Sequence, residues 1–268
     1  MFINNINPII LSIGPLSVRY YGIAYAIGFL LAYFYLRYHI KKGLLKLTED
    51  QLDKYFLWLI IGVVFMARLF EVFIYNAPYY FQHLSEMYRI WDGGMSFHGG
   101  LVGAIIVTYL FCRKYKIDIY DILDLLVIPG AIALMLGRIA NYTNSELYGT
   151  ITSPQSTPWC VVFQKVDAYC RHPTQLYESL QMLIMTVLLL SYKHYADIRK
   201  KYVKGTLFWV FVLLYGVFRF FITFLRDEQK YLGLNPGQWL CLLMVILAVI
   251  FLWQINRSAN NHKRGVKN

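Results

Sequence analysis

Residues 205–225 read GTLFWVFVLLYGVFRFFITFL, with Arg219 as the one charge in the run. A helix of about 20 such residues crosses about 30 Å of hydrocarbon with every backbone group satisfied internally. Six further apolar runs lie near residues 18–38, 55–75, 97–113, 120–140, 176–192 and 237–256, the third and fifth of the seven being short. Of 268 residues 58% are apolar and 15% charged, against about 45–50% and about 25% in soluble domains. The chain is expected to be an all-α polytopic membrane protein with seven transmembrane helices.

The basic surplus, 26 Lys and Arg against 15 Asp and Glu, is compatible with nucleic acid, anionic lipid or membrane topology, and position decides between them. With the N-terminus outside, the inner loops hold 17 of the 26: Arg37, Lys41, Lys42, Lys46, Lys54, Arg113, Lys114, Lys116, Lys193, Arg199, Lys200, Lys201, Lys204, Arg257, Lys263, Arg264 and Lys267. The outer segments hold seven, Arg19, Arg89, Arg138, Lys165, Arg171, Arg226 and Lys230, and Arg68 and Arg219 fall within spans. The positive-inside rule then gives N-out, C-in. The charge reports topology, and no nucleic-acid partner is expected.

The opening MFINNINPIILSIGPL carries no Lys or Arg and is broken by Pro8 and Pro15, unlike the charged start of a signal peptide. Residues 1–17 are read as an outer N-terminal arm, 76–96 as an outer amphipathic, aromatic arm and 141–175 as an outer head, all in one membrane-embedded domain spanning 1–268. Cys112 and Cys241 fall at or within spans and read as buried thiols. Cys160 and Cys170 lie in the outer loop, where an oxidising compartment would join them as a disulfide; two free thiols are the alternative.

Polar groups at the ends of apolar spans are costly and point to function. Gly137-Arg138-Ile139-Ala140-Asn141-Tyr142-Thr143-Asn144-Ser145-Glu146-Leu147-Tyr148-Gly149 follows one span. On a continuing helix Gly137, Asn141 and Asn144 would share a face beside Arg138. The plain alternative is a hydrated helix end with Arg138 snorkelling outward. WDGGMSFHGG, residues 91–100, sets four glycines around His98 at the mouth of another span. A lone histidine there is more often a satisfied structural donor than a functional group. RHPTQLYE, residues 171–178, opens the fifth span, and Arg219 sits inside the sixth in YGVFR. An arginine in mid-span needs an acidic partner, a watery cavity or a bound anion, and guanidinium matches phosphate bidentately.

These motifs, in this order on consecutive outer-facing segments, resemble the prolipoprotein diacylglyceryl transferases of bacteria. The similarity runs from Ser12-Ile13-Gly14-Pro15 and Arg19-Tyr20-Tyr21-Gly22 to Asn235-Pro236-Gly237-Gln238, nearly the whole chain. The resemblance implies seven transmembrane helices with a small periplasmic head, N-out and C-in, in the bacterial inner membrane. It implies transfer of diacylglyceryl from phosphatidylglycerol to the lipobox cysteine of prolipoproteins, with a thioether formed and sn-glycerol 1-phosphate released. This would be the first step of lipoprotein maturation, and no cofactor or metal is expected. The family's important positions fall on Tyr21, His98, Arg138, Asn141, Glu146, Gly149, Tyr215 and Arg219.

Within that expectation Arg138 and Arg219 stabilise the leaving phosphate. His98 is the candidate base or a lipid-orienting donor, and Glu146 is a partner that fixes Arg138. Tyr21, Asn141, Gly99, Gly149 and Tyr215 line the substrate site, with Asn141 and Tyr21 hydrogen-bonding the headgroup. The chain departs from the family at Tyr142 and Thr143, a hydroxyl pair that would alter the pocket lining. It departs again at Thr223, where many members carry Glu, so an acidic partner for Arg219 must come from elsewhere. The rival reading is a seven-helix transporter or flippase for a phosphorylated lipid or small anion. The lack of a repeat between the two halves counts against it.

Overall fold

The computed structural model describes residues 1–13, 16–199, 202–226 and 228–265. Gly14, Pro15, Lys200, Lys201 and Lys267, named above, lie outside the described residues. Among the described residues eight α-helices carry most of the structure: α1 Tyr20–Lys41, α2 Glu49–Phe70, α3 Ala77–Tyr80, α4 Phe97–Tyr115, α5 Ile119–Thr143, α6 Thr174–Ile198, α7 Thr206–Ile222 and α8 Pro236–Gly265. Among the described residues five stretches are long and apolar enough to cross a bilayer: Tyr20–Lys41, Glu49–Tyr75, Ile119–Thr143, Thr206–Leu225 and Pro236–Ser258. The third and fifth expected spans are occupied by α4 and α6. Both are helical, but α4 opens on His98 and glycines and closes on Arg113 and Lys114, while the first turns of α6 carry Gln175 and Glu178.

The segments between the long helices are not all irregular. Residues expected to form a simple N-terminal arm contain β1 Phe2–Asn4 and a hairpin of β2 Ile9–Ile13 and β3 Leu16–Arg19. Strand β1 pairs in parallel with β4 Val161–Phe163, and β4 pairs antiparallel with β5 Cys170–Arg171. The pairing joins positions about 160 residues apart, which no local pattern announces. Cys160 and Cys170 are joined by a disulfide beside this sheet.

The chain divides into two compact units, Met1–Ala32 with Leu123–Asn268, and Tyr33–Ile122. In the second unit α2 begins with a capping box, since Thr48 Oγ1 accepts from Gln51 N at 3.2 Å and Gln51 Oε1 accepts from Thr48 N at 3.0 Å. Helix α4 lies against α2 through glycine. A Cβ at Gly99 would stand 2.7 Å from Phe70 Cβ, and one at Gly103 3.0 Å from Met66 Cβ, the close backbone approach that small residues allow between membrane helices. Buried Arg68 on α2 donates to the carbonyls of Glu86, Met87, Gly93 and Gly94 at 2.6–2.9 Å and stacks on Tyr80. The carbonyls satisfy an arginine that the sequence places inside a span, and they tie down the 76–96 segment.

In the first unit α7 runs along α8, and α6 packs on α7. Gly28 of α1 faces Ala133 of α5, where an added Cβ would stand 2.6 Å from Ala133 Cβ. That contact sets α1, at its third turn, against α5. Large apolar side chains such as Leu30, Leu180, Val187, Leu243 and Ile246 point outward, as helices solvated by lipid require.

Candidate functional site: three arginines on one carboxylate

Arg138 stands in the last two turns of α5, Glu178 in the second turn of α6, Arg219 in the last turn of α7 and Arg226 just past the 3₁₀ turn Thr223–Leu225. Their side chains converge. Arg138 Nε lies 2.6 Å from Glu178 Oε2, Arg219 Nη1 pairs with Glu178 Oε1, and Arg226 Nη1 reaches the same oxygen at 3.4 Å. The carboxylate is 2% exposed, and its charge is shared by three guanidinium groups. A lone buried charge costs several kcal/mol, so Glu178 makes this concentration of arginine tolerable while leaving an excess of positive charge. Arg226 also meets Glu228 at 2.7 Å, out of hydrogen-bond alignment, from a more exposed side. Burial lowers the proton affinity of Arg226, and Glu228 acts against that.

This is a correction to the expected pairing. The partner of Arg138 is Glu178, not Glu146. Glu146 lies beyond the end of α5 and accepts from Asn141 Nδ2 at 3.2 Å and from Asn144 Nδ2 at 3.3 Å. Asn141 Oδ1 in turn accepts from Arg138 Nη1 at 3.4 Å. Glu146 therefore touches Arg138 through Asn141, because the chain turns away after Thr143 while α6 presents Glu178 directly. The partner that Thr223 does not supply to Arg219 is the same Glu178, and Thr223 Oγ1 donates instead to the backbone carbonyl of Arg219 at 2.6 Å.

The turn after α5 is held in an unfavourable conformation. Ser145 and Leu147 have φ of 58° and 57°, each costing roughly 1–2 kcal/mol for a residue with a Cβ. The start of α6 fixes them: Thr174 Oγ1 donates to Leu147 O at 2.9 Å and Gln175 Nε2 to Glu146 O at 2.5 Å. The residues that hold the turn thus stand one helical turn from Glu178. Gly149 follows in a crowded place, where a Cβ would stand 2.6 Å from Leu225 O and 2.8 Å from His172 Cβ. Close backbone packing accounts for glycine there.

Tyr215, one turn before Arg219, interacts with Arg138 through its hydroxyl. Tyr21 and Tyr25 share a hydroxyl hydrogen bond of 3.2 Å with edge-on rings, and Tyr25 lies within the electrostatic reach of Arg138. Tyr142 turns the other way, its ring against Phe163 and its carbonyl accepting from Asn4 Nδ2 at 2.6 Å. Thr143 Oγ1 donates to Ala140 O at 2.8 Å. Tyr142 thus packs against Phe163 and Thr143 bonds the backbone of its own helix, whereas Thr223 is the departure that touches an arginine, through Arg219 O.

His98 and Gly99 belong to the second unit. Ser96 caps α4 by accepting from Gly99 N at 3.2 Å, which leaves His98 exposed with Nδ1 2.7 Å from Tyr75 OH. Tyr75 closes a π-helical turn, Glu71–Tyr75, a local irregularity that often marks functional positions. Gly99 is buried against α2. Among the described residues no group of three or more His, Cys, Asp and Glu could hold a metal ion.

Sequence reasoning missed Glu178, Arg226 and Tyr25. The rule that singled out Arg219, a charge inside an apolar run, applies equally to Glu178. Arg226 gave no such signal, since it sits in a short polar loop. A family model described as prolipoprotein diacylglyceryl transferase matches residues 8–254. The phosphatidylglycerol–prolipoprotein diacylglyceryl transferase of Rickettsia rickettsii (strain Sheila Smith) is 38% identical over 259 residues, covering 94% of this chain and 98% of that protein. The proteins of the same name from Ehrlichia ruminantium (strain Gardel) and Rickettsia typhi are 35% and 36% identical, each covering 96% of this chain and 99% of theirs.

Proposed function

We propose a site and a mechanism for this chain, which belongs to the prolipoprotein diacylglyceryl transferase family. It is a transferase that moves the diacylglyceryl group of phosphatidylglycerol onto prolipoproteins, the first step of lipoprotein maturation. The acceptor in this reading is the thiol of a lipobox cysteine. Its sulfur attacks the glyceryl carbon that bears the phosphate, a C–S bond forms, the C–O bond breaks, and the electron pair leaves with sn-glycerol 1-phosphate. The thiol proton passes to the departing phosphate. The product is a thioether.

The observation that carries this assignment is the convergence of Arg138, Arg219 and Arg226 on the single buried carboxylate of Glu178. The leaving phosphate gains negative charge as the C–O bond breaks. Fixed cations that need no reorganisation in a water-poor site stabilise that change best. Arg138 and Arg219 are the two groups we assign to it, with Glu178 holding both planes in place. Asn141 and Tyr215 meet Arg138 directly, Tyr21 is hydrogen-bonded to Tyr25 within the electrostatic reach of that arginine, and Asn141, Tyr21 and Tyr215 are assigned to the headgroup. Glu146 orients Asn141. His98 enters through the sequence motif and is assigned a hydrogen bond that holds the lipid.

The same reading places seven helices in the bacterial inner membrane, with α4 and α6 as the two shorter spans. Residues 1–17, 76–96 and 141–175 lie on the periplasmic side, N-out and C-in. The 17-to-7 division of basic residues supports that orientation. Incubating the purified protein with labelled phosphatidylglycerol and a lipobox peptide tests the function. The peptide should gain the mass of a diacylglyceryl group and a phosphorylated glycerol should appear. A transporter or flippase would leave the peptide's mass unchanged, and that result would overturn the reading.

A further inference from the structure

The ends of α5 and α7 opposite the arginines are also joined by a buried carboxylate. Asp124, 2% exposed on the second turn of α5, accepts from Gly205 N at 2.6 Å, from Phe208 N at 2.8 Å and from Tyr202 OH at 2.5 Å. Gly205 is the N-cap of α7 and has no side chain to close the helix start; its φ is 83°. Phe208 is the third residue of that helix. The two amides that a capping side chain on α7 would satisfy are therefore satisfied from α5, and the negative charge lies at the positive end of the α7 dipole.

The spacing gives this cap a consequence at the far end. Arg138 follows Asp124 by 14 residues, and Arg219 follows Gly205 by 14. Each interval is about 21 Å of helix at about 1.5 Å per residue. Two parallel helices of equal length between pins are thus fixed at one end by Asp124 and meet at the other on Glu178. A slip or tilt of α7 at Gly205 is carried along the helix to Arg219, which cannot follow it while its partner on Glu178 stays with Arg138.

We infer that Asp124 is a positioning residue for the transfer reaction: it caps α7 from α5 and so sets the axial register of Arg219 against Arg138. It does not touch substrate. The inference rests on the assignment of the two arginines to the leaving phosphate. Misplacement of a reacting group by about 1 Å costs up to about 10²-fold in rate, so the effect belongs in kcat and not in binding of the lipid.

The test compares Asp124→Asn and Tyr202→Phe with the wild type in turnover per folded molecule, measured on protein purified as a monodisperse peak. Asp124→Asn should lower kcat by about 10–100-fold with KM for phosphatidylglycerol within about twofold of wild type. Tyr202→Phe, which keeps the carboxylate and both amide bonds, should fold as wild type and lower kcat less. If Asp124→Asn only reduces the yield of folded protein, with unchanged kcat per folded molecule, Asp124 is a stability residue and the inference falls. If Asp124→Asn does not fold, Asp124→Glu decides: it keeps the charge but moves the accepting oxygens by one methylene, and unchanged kcat overturns the inference. An Arg138→Lys control run alongside separates the two readings. Full activity in that control defeats the phosphate clamp itself, whereas a dead control with normal Asp124→Asn kinetics defeats the register argument alone.

Discussion

Glu178 is the residue on which the arginines depend, and its removal has a defined cost. Breaking a buried ion pair by deleting one partner is worth about 3–5 kcal/mol, and here one deletion strands three guanidinium groups. Glu178→Gln is expected to lower the thermal midpoint of the purified protein and to abolish most turnover, with part of the stability restored by a phosphorylated glycerol that replaces the lost charge. A Glu178→Gln protein as stable as wild type would show that the arginines do not share this carboxylate. His98 makes a contrasting forecast. His98→Gln should keep measurable turnover, since a hydrogen-bonding side chain remains, whereas loss of a general base would cost about 10²–10⁴-fold. Kinetics on that variant distinguish the two roles. At this scale the sequence disclosed Arg138 and Arg219, because a charge beside or inside an apolar run stands out. It did not disclose that one glutamate serves both, because pairing between α5, α6 and α7 is a fact of packing and not of spacing.

Among the elements, the helices were legible and the segments between them much less so. Runs of apolar residues locate α1, α2, α5, α7 and α8, and even α4 and α6 lie where the shorter runs do. The hydrogen bonds of a helix are local, so a local pattern suffices. Strand β1 pairs with β4 across most of the chain, and nothing in FIN predicts its partner. The disulfide was an exception, being argued from compartment alone: Cys160 and Cys170 should resist alkylation without reductant, and mass spectrometry finding both alkylated would remove it. The head should also weaken in acid. His172, hydrogen-bonded to Tyr177, is held below the usual imidazole pKa by burial. Its unfolded form then binds more protons just below about pH 6.5, so stability is present above that value and is lost as pH falls through the folded pKa. His172→Gln should flatten this part of the profile of thermal midpoint against pH, and an unchanged slope would assign the loss to other groups.

For the whole molecule, orientation ties the site to its substrates. A reporter active only in the cytoplasm should be active when fused after Lys46, Lys116 or Lys201 and silent near Pro154. That expectation rests on the basic residues alone, since the rule reads charge and not packing. The opposite pattern would put the head, and the arginines beside it, on the wrong side for an exported precursor.

The most direct measurement of the central claim is release of phosphorylated glycerol, coupled to mass gain on a lipobox peptide, by wild type, Arg138→Lys and Arg219→Lys at matched levels in the same membranes. Lysine keeps the charge and loses the planar fork that meets two phosphate oxygens. The account predicts that both variants insert and lose most of their turnover. Turnover like that of wild type in either variant would contradict the assignment of that arginine to the leaving phosphate.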